Sequence, residues 1–277
     1  MEREVGILTS VTYRDVVRGL RELGTQKDRP VLVHSSLSAF GPVEGGARSV
    51  IGALTHLCGG IMMPTFTYNT MVVPETGPEN NGLAYGSRNE HNGLAELWSA
   101  DMHADPVMGV IPETLRQMEG AERSPHPILS FAALGLSAAL ATQTLEEPLA
   151  PIGWLAERDG EALLLGVDHT RNTAIHFGER RAGRKQFVRW ALTPEGAVAC
   201  QNFPGDSDGF AAIAPRLAGI ARFTSVGQAV LQRIPLRDLL HVVEGWIRED
   251  PQALLCARAD CARCNSVRAE LKQSAIG

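Results

Sequence analysis

Residues 161–179, EALLLGVDHTRNTAIHFGE, constrain this chain more than any other stretch. Ala162-Leu163-Leu164-Leu165 is an unbroken apolar run and reads as a buried strand. Gly166 stops it, and a polar turn follows, Asp168-His169-Thr170-Arg171-Asn172. Thr173-Ala174-Ile175-His176-Phe177-Gly178-Glu179 then reads as the start of a helix, with Asn172 or Thr173 able to cap it through a side-chain oxygen. In a helix His176 and Glu179 stand at i and i+3 and share a face. The carboxylate can hold one imidazole nitrogen and leave the other free to take a proton, which is how a general base is oriented. A site so formed lies at the C-terminal end of a strand, where α/β proteins place their ligands. The competing reading is a surface helix pair without chemistry.

At 277 residues, 44% of them hydrophobic, the chain has ample material for one large α/β domain or two smaller ones. Its net charge of −5 argues against sequence-independent nucleic-acid binding, which needs a basic field. The opening MEREVGILTS has no apolar core of the signal-peptide kind, and no run approaches the roughly 18 apolar residues of a spanning helix. A cytoplasmic protein with no membrane or nucleic-acid partner is expected. Of the five cysteines, Cys58 and Cys200 are scattered, whereas Cys256-x4-Cys261-x2-Cys264 forms a cluster. In a reducing compartment such a cluster reads as metal-binding before it reads as disulfide-bonded. A structural zinc takes four tetrahedral ligands, and the fourth is expected from Cys200 or a histidine such as His241. Free buried thiols and a disulfide are the alternatives.

Residues 9–24 suit a capped amphipathic helix, with Thr9 or Ser10 before it. Val31-Leu32-Val33 is a short strand that runs into His34-Ser35-Ser36-Leu37-Ser38, Gly41, Gly45-Gly46 and a helix over 47–57. That order turns backbone N–H groups toward a helix N-terminus and favours an anion such as phosphate. It matches neither a Walker A loop nor a GxGxxG fingerprint. Residues 61–69 form a second strand, and 70–92 a long loop with Glu75, Glu79, Glu90, His91 and Asp101 in or near it. A short helix over 110–118 accommodates Pro112 in its first turn. Arg123 with Ser124 offers a second place for a phosphate. The run Arg180-Arg181-Ala182-Gly183-Arg184-Lys185 reads as a solvated face. Strands flank the turn Thr193-Pro194-Glu195-Gly196, and 226–249 holds one or two helices.

His34-Ser35-Ser36-Leu37 with Gly41 and Gly45-Gly46, Met63-Pro64-Thr65-Phe66-Thr67, Pro112-Glu113-x2-Arg116, Arg123-Ser124-x-His126-Pro127-x2-Ser130-Phe131-Ala132-Ala133, and Leu164-Leu165-Gly166-Val167 through Thr173-x2-His176-x2-Glu179 occur in this order. Together they resemble the aminoglycoside N3-acetyltransferase family, over about residues 9–250. The resemblance implies an α/β fold distinct from the GNAT acetyltransferases: one acyltransferase domain over 1–277, with a central mixed sheet flanked by helices. The small Cys-rich tail at about 251–277 is not a required feature of the family. The resemblance also implies acetyl-coenzyme A as donor, an amine of an aminosugar as acceptor, and a role in antibiotic resistance. His176 matches the family's catalytic histidine and Glu179 its carboxylate partner. The His34-Ser35-Ser36 segment matches the part that lies along the pantetheine and phosphates, with Arg123 and Ser124 as a second candidate. Tyr68 and Asn69 would wall the acceptor site, with Glu113 and Asp168 as its acids. Many resistance members carry an acidic residue six positions before the histidine, where this chain has Thr170.

The expected reaction is direct transfer in a ternary complex, with His176 as base and the Ser35-Ser36 loop or Thr173 stabilising the oxyanion. A monomer or homodimer is expected. The alternatives are an acyl-cysteine route through Cys58, a coenzyme A-dependent acyltransferase using another amine in natural-product metabolism, and a non-catalytic coenzyme-binding homologue.

Overall fold

The computed structural model describes residues 10–86 and 90–274. Its frame is a seven-stranded sheet ordered β4 (Glu122–Arg123), β5 (Phe131–Leu134), β2 (Ile61–Pro64), β1 (Val31–Ser35), β6 (Glu161–Leu165), β10 (Ala229–Pro235) and β9 (Arg222–Val226). The three central strands, β2, β1 and β6, run parallel, and the strands outside them pair antiparallel, so the sheet is mixed. Their apolar runs are explained by helices on both faces. Val31, Val33, Ile61, Met63, Leu163 and Leu165 point to one side, against α1 (Tyr13–Leu23), α2 (Gly46–Leu57) and α3 (Val110–Arg116). Leu32, Met62, Ala162 and Leu164 point to the other, against α5 (Ala150–Glu157), α6 (Thr173–Arg181) and α7 (Leu236–Glu249). The one-turn helix α4 (Ser137–Leu140) follows β5. A second sheet, β3 (Met71–Val72), β7 (Phe187–Thr193) and β8 (Gly196–Phe203), forms the hairpin expected around residues 193–196. Helix α8 (Ala262–Ser274) carries the end of the cysteine cluster.

Local chemistry moves several expected boundaries. The cap of α1 is Thr12, because Asp15 completes a reciprocal capping box with it; Ser10 instead donates to the Pro42 carbonyl, and Thr9 lies outside the described residues. The second strand stops at Pro64, and Tyr68–Thr70 is a 3₁₀ turn. Residues 226–235 are not helical. Val226 pairs with Ala229 across a two-residue turn that opens with Gly227 at φ 58, and alternate residues of β10 are buried. The helix begins only at Leu236. A hairpin turn with a left-handed glycine carries that segment into a strand, and the helical spacing of Leu236, Leu239, Leu240, Val243 and Trp246 belongs only to the helix after it.

The sheet also buries charge. Glu161 is fully buried at the start of β6, with Arg233 Nη1 at 2.7 Å and Arg29 Nη1 at 3.3 Å. Burial pushes its carboxyl upward, and Arg233, Arg29 and Arg222 pull it back. Arg233 also donates to the Gly24 carbonyl, at the end of α1. Replacing Arg233 by alanine is expected to leave Glu161 buried with its weaker partner and to cost about 3 kcal/mol in urea unfolding. The deficit should narrow toward acid pH, as Glu161 takes up a proton.

Candidate active site

Strand β6 ends at Gly166, whose φ of 72 suits glycine and where a Cβ would meet Ala39 at 2.5 Å. The chain then makes a 3₁₀ turn, His169–Arg171, capped by Asp168, whose Oδ1 accepts from Thr170 N–H at 2.9 Å and from its hydroxyl at 2.5 Å. Asn172 Oδ1 caps α6 by accepting from Ala174 N–H. The neighbouring parallel strand supplies a second cap: Thr173 N–H donates to Nε2 of His34 at 2.7 Å. Burial, with a smaller contribution from His169, lowers the His34 pKa to about 3. The ring is therefore neutral, with Nε2 the acceptor and its proton on Nδ1. His34 thus ties the ends of β1 and β6 together, and that nitrogen is not available to a coenzyme.

On α6, His176 Nδ1 and Glu179 Oε2 are 2.9 Å apart. Glu179 is buried, and its other oxygen accepts from Arg184 Nη1 at 2.6 Å. Arg184 Nη2 donates in turn to the carbonyls of Pro251 and Ala253. The basic run expected as a solvated face is thus corrected at its centre: the Arg184 side chain is 3% exposed and fixes the carboxylate that fixes the imidazole. Arg180 pairs with Glu147 and Lys185 with Glu270. The His176 ring stands edge to face with Phe210 at 4.6 Å.

His176 lines a cavity of about 920 Å³ at the C-terminal edge of the parallel strands. Along one side run His34, Ser35, Ser36, Leu37, Ser38, Gly41 and Val43, faced by residues 106–110 and Pro112. Gly166, Val167 and residues 170–173 form the floor beside His176, and Phe66, Tyr68, residues 203–208 and Arg263 complete the wall. Burial pushes the Tyr68 phenol up to about 12, so it stays neutral. The backbone N–H groups expected to meet an oxyanion are already engaged: that of Ser36 by the Leu165 carbonyl, that of Thr173 by His34. The Ser35 hydroxyl is buried without a partner, and the Thr173 hydroxyl has none among the described residues.

Other expected site residues lie elsewhere. Arg123 is spent on protein carbonyls, with Nη2 on Thr65 at 2.8 Å, Nη1 on Ala100 and Met102, and Nε on the Ser130 hydroxyl. Burial lowers its pKa to about 10. Ser124 is buried and accepts from Phe131 N–H. Neither borders the cavity, and a guanidinium so engaged braces β4 and β5 where a phosphate contact was expected. Asn69 is exposed beyond Tyr68, and Asp168 is consumed as a cap. Glu113 turns away to Arg116, His103, Gln117 and the Ala104 N–H. Glu75, Glu79 and Asp101 are exposed off the cavity, and the side chains of Glu90 and His91 lie outside the described residues. Cys58 and Cys200 are buried thiols pushed up to about 12 by burial, Cys58 against α1 and α2 and Cys200 in the core beneath β8. Neither suits a nucleophile. The group that closes on Cys256, Cys261 and Cys264 is Asp206, not Cys200 or His241. Asp206 and Arg263 went unread in the sequence, while Arg184 was read only as part of a solvated face and Arg171 only as a turn residue; the polar turn Pro204-Gly205-Asp206-Ser207-Asp208 is the signal that marks Asp206.

A model of the family described as aminoglycoside 3-N-acetyltransferase matches residues 32–248, which hold His34, the His176–Glu179–Arg184 chain and nearly all of the cavity wall. The chain belongs to that family. Like its relatives it is an acyltransferase. It is 31% identical over 276 residues to aminoglycoside N(3)-acetyltransferase VII of Streptomyces paromomycinus, covering 86% of this chain and 92% of that one. Its fold matches the apoenzyme of aminoglycoside acetyltransferase AAC(3)-IVa with a TM-score of 0.77 at 24% identity, covering 95% and 99% of the two chains. It also matches AAC-IIIb in its binary complex with CoASH, with a TM-score of 0.70 at 21% identity over 87% and 98%. Among the described residues no helix is long and apolar enough to cross a membrane.

The surroundings of Glu113 set an acid limb. Desolvation opposes ionisation there, but bonds from Arg116, Ala104 N–H and His103 outweigh it and hold the carboxyl down to about 2, against 4.5 unperturbed. A depressed folded-state pKa contributes stability above the unfolded value, lost as pH falls toward the folded one. Wild type is therefore expected to lose this contribution between about pH 4.5 and 2. Glu113→Gln should melt lower at neutral pH and show a flatter acid limb, with the KM for acetyl-coenzyme A unchanged.

Proposed function

We propose that this chain transfers the acetyl group of acetyl-coenzyme A to the 3-amino group of an aminoglycoside's 2-deoxystreptamine ring, with His176 as general base. The observation that carries this reading is the buried Arg184–Glu179 pair holding Nδ1 of His176 while the ring faces a cavity able to take two substrates. Membership of the family and the coenzyme complex of the AAC-IIIb neighbour support the donor. The protein is taken to be cytoplasmic, with its acyltransferase domain spanning the chain.

The coenzyme's arm lies along Ser35, Ser36, Leu37 and Val43, faced by Val107 and Val110, a channel of small polar and apolar groups suited to pantetheine. The acceptor sits by Tyr68 and residues 203–208, where Asp208 adds a carboxylate for a polycationic aminosugar. The amine nitrogen attacks the thioester carbonyl and forms the C–N bond as Nε2 of His176 takes its proton. Glu179 and Arg184 keep the ring in the tautomer with Nδ1–H. The Thr173 hydroxyl, a free donor beside His176, stabilises the tetrahedral oxyanion. Collapse breaks the C–S bond, and the proton held by His176 leaves with the coenzyme thiol.

Thiol release from acetyl-coenzyme A, measured against a panel of 2-deoxystreptamine aminoglycosides with NMR location of the acetyl group, tests this directly. His176→Ala is expected to lose about 10²–10⁴-fold in kcat with coenzyme binding retained. Full turnover by that variant would overturn the base assignment. Coenzyme binding with no release on any aminoglycoside would send the reading to another amine. Thr173→Val should cost about 10²-fold in kcat and Thr173→Ser much less; equal rates would remove Thr173 from the oxyanion's partners.

A further inference from the structure

Three thiols and a carboxylate converge on one point away from His176. One ligand atom each from Asp206, Cys256, Cys261 and Cys264 lies within 4.8 Å of all the others, and all four residues are buried. A tetrahedral ion with metal–sulfur bonds of about 2.3 Å holds its sulfurs about 3.8 Å apart, so the spacing suits one ion at the centre. The three cysteines are free, so no disulfide accounts for their convergence. Cys261 and Cys264 straddle the first residues of α8, and Cys256 approaches from the loop after α7. Asp206 comes from 50 residues before Cys256, in the turn after β8.

We infer that Asp206, Cys256, Cys261 and Cys264 form a closed tetrahedral site for a single zinc ion. Thiolates select zinc over the hard cations magnesium and calcium. Three thiolates and a carboxylate around a dication leave two negative charges, and two arginines stand against them. Arg258 lies 3.0 Å from Asp206 and 3.1 Å from Asp208, and Arg263 lies 3.4 Å from Asp206. With four protein ligands the site has no open position, which is the pattern of a structural zinc. Its effect is mechanical. Asp206 belongs to the 203–208 segment that walls the cavity, so the ion fastens that wall to α8 and to the loop before it.

The inference is independent of the acetyl-transfer reading, and its test needs no activity. Elemental analysis of the purified, reduced chain should find about one zinc per chain. Replacing that zinc with Co(II) should give the intense visible bands of tetrahedral thiolate coordination. Removing the metal with a chelator should lower the melting temperature by about 5 °C or more, restored by Zn(II). Asp206→Ala should weaken Co(II) binding at least about tenfold, while Cys200→Ala keeps wild-type stoichiometry. Should Cys264→Ser fail to fold, the cobalt spectrum of the unaltered chain still decides. A metal-free reduced protein that takes up no Co(II), a disulfide among these cysteines, iron with sulfide in place of zinc, or metal lost with Cys200 but kept without Asp206 would each overturn the assignment.

Discussion

Strands β1 and β6 run side by side in parallel, in register from Val31 with Glu161 to Ser35 with Leu165, and the rest of the molecule depends on that pairing. Both strands are apolar and almost wholly buried, so neither can slip without turning a leucine or valine face toward the wrong helices. Because they are parallel, they finish at one edge of the sheet and deliver two loops to the same place. Only in this register does His34 reach the first amide of α6. The helix that carries His176 is thus capped by a side chain from another strand, and its position is set by the sheet as well as by the Asn172 cap in the loop before it.

Beyond that contact, the site is a relay of buried polar groups in which each one restrains the next. His176 is held by Glu179, Glu179 by Arg184, and Arg184 by the Pro251 and Ala253 carbonyls. A carboxylate as buried as Glu179 needs a cation beside it, and a guanidinium as buried as Arg184 needs acceptors for its remaining N–H groups. Backbone carbonyls from the far end of the chain supply them. The same logic explains Arg123, whose N–H groups are engaged by carbonyls and the Ser130 hydroxyl, and so why a guanidinium that reads as a phosphate partner is a strut.

His176 and Glu179 were legible in the sequence because their relation is local: a strand, a glycine, a capped helix and a spacing of three residues. That His34, Ser35 and Ser36 end a strand beside a cavity was legible for the same reason, although what His34 does there was not, since its partner is 139 residues away. Arg184 looked like one base in a solvated run, because its surroundings come from carbonyls that no spacing encodes. Cysteine type pointed to Cys200 as a fourth ligand, but β8 carries that side chain into the apolar core, and the turn after it brings in Asp206 instead. Residues 226–235 were misread because the helical spacing that begins at Leu236 was extended back across a single turn glycine, Gly227. Each miss concerns a contact made across the fold.

The carbonyls that receive Arg184 belong to residues made long after the three central parallel strands. During synthesis the central strands, the cavity floor and His176 can all be in place while Glu179 still lacks its settled cation. The nascent chain would hold a loosely oriented imidazole until residue 253 has left the ribosome and docked. Fusions or truncations near that segment therefore act on the orientation of the His176 ring from a distance, and assembled central strands do not by themselves fix that ring.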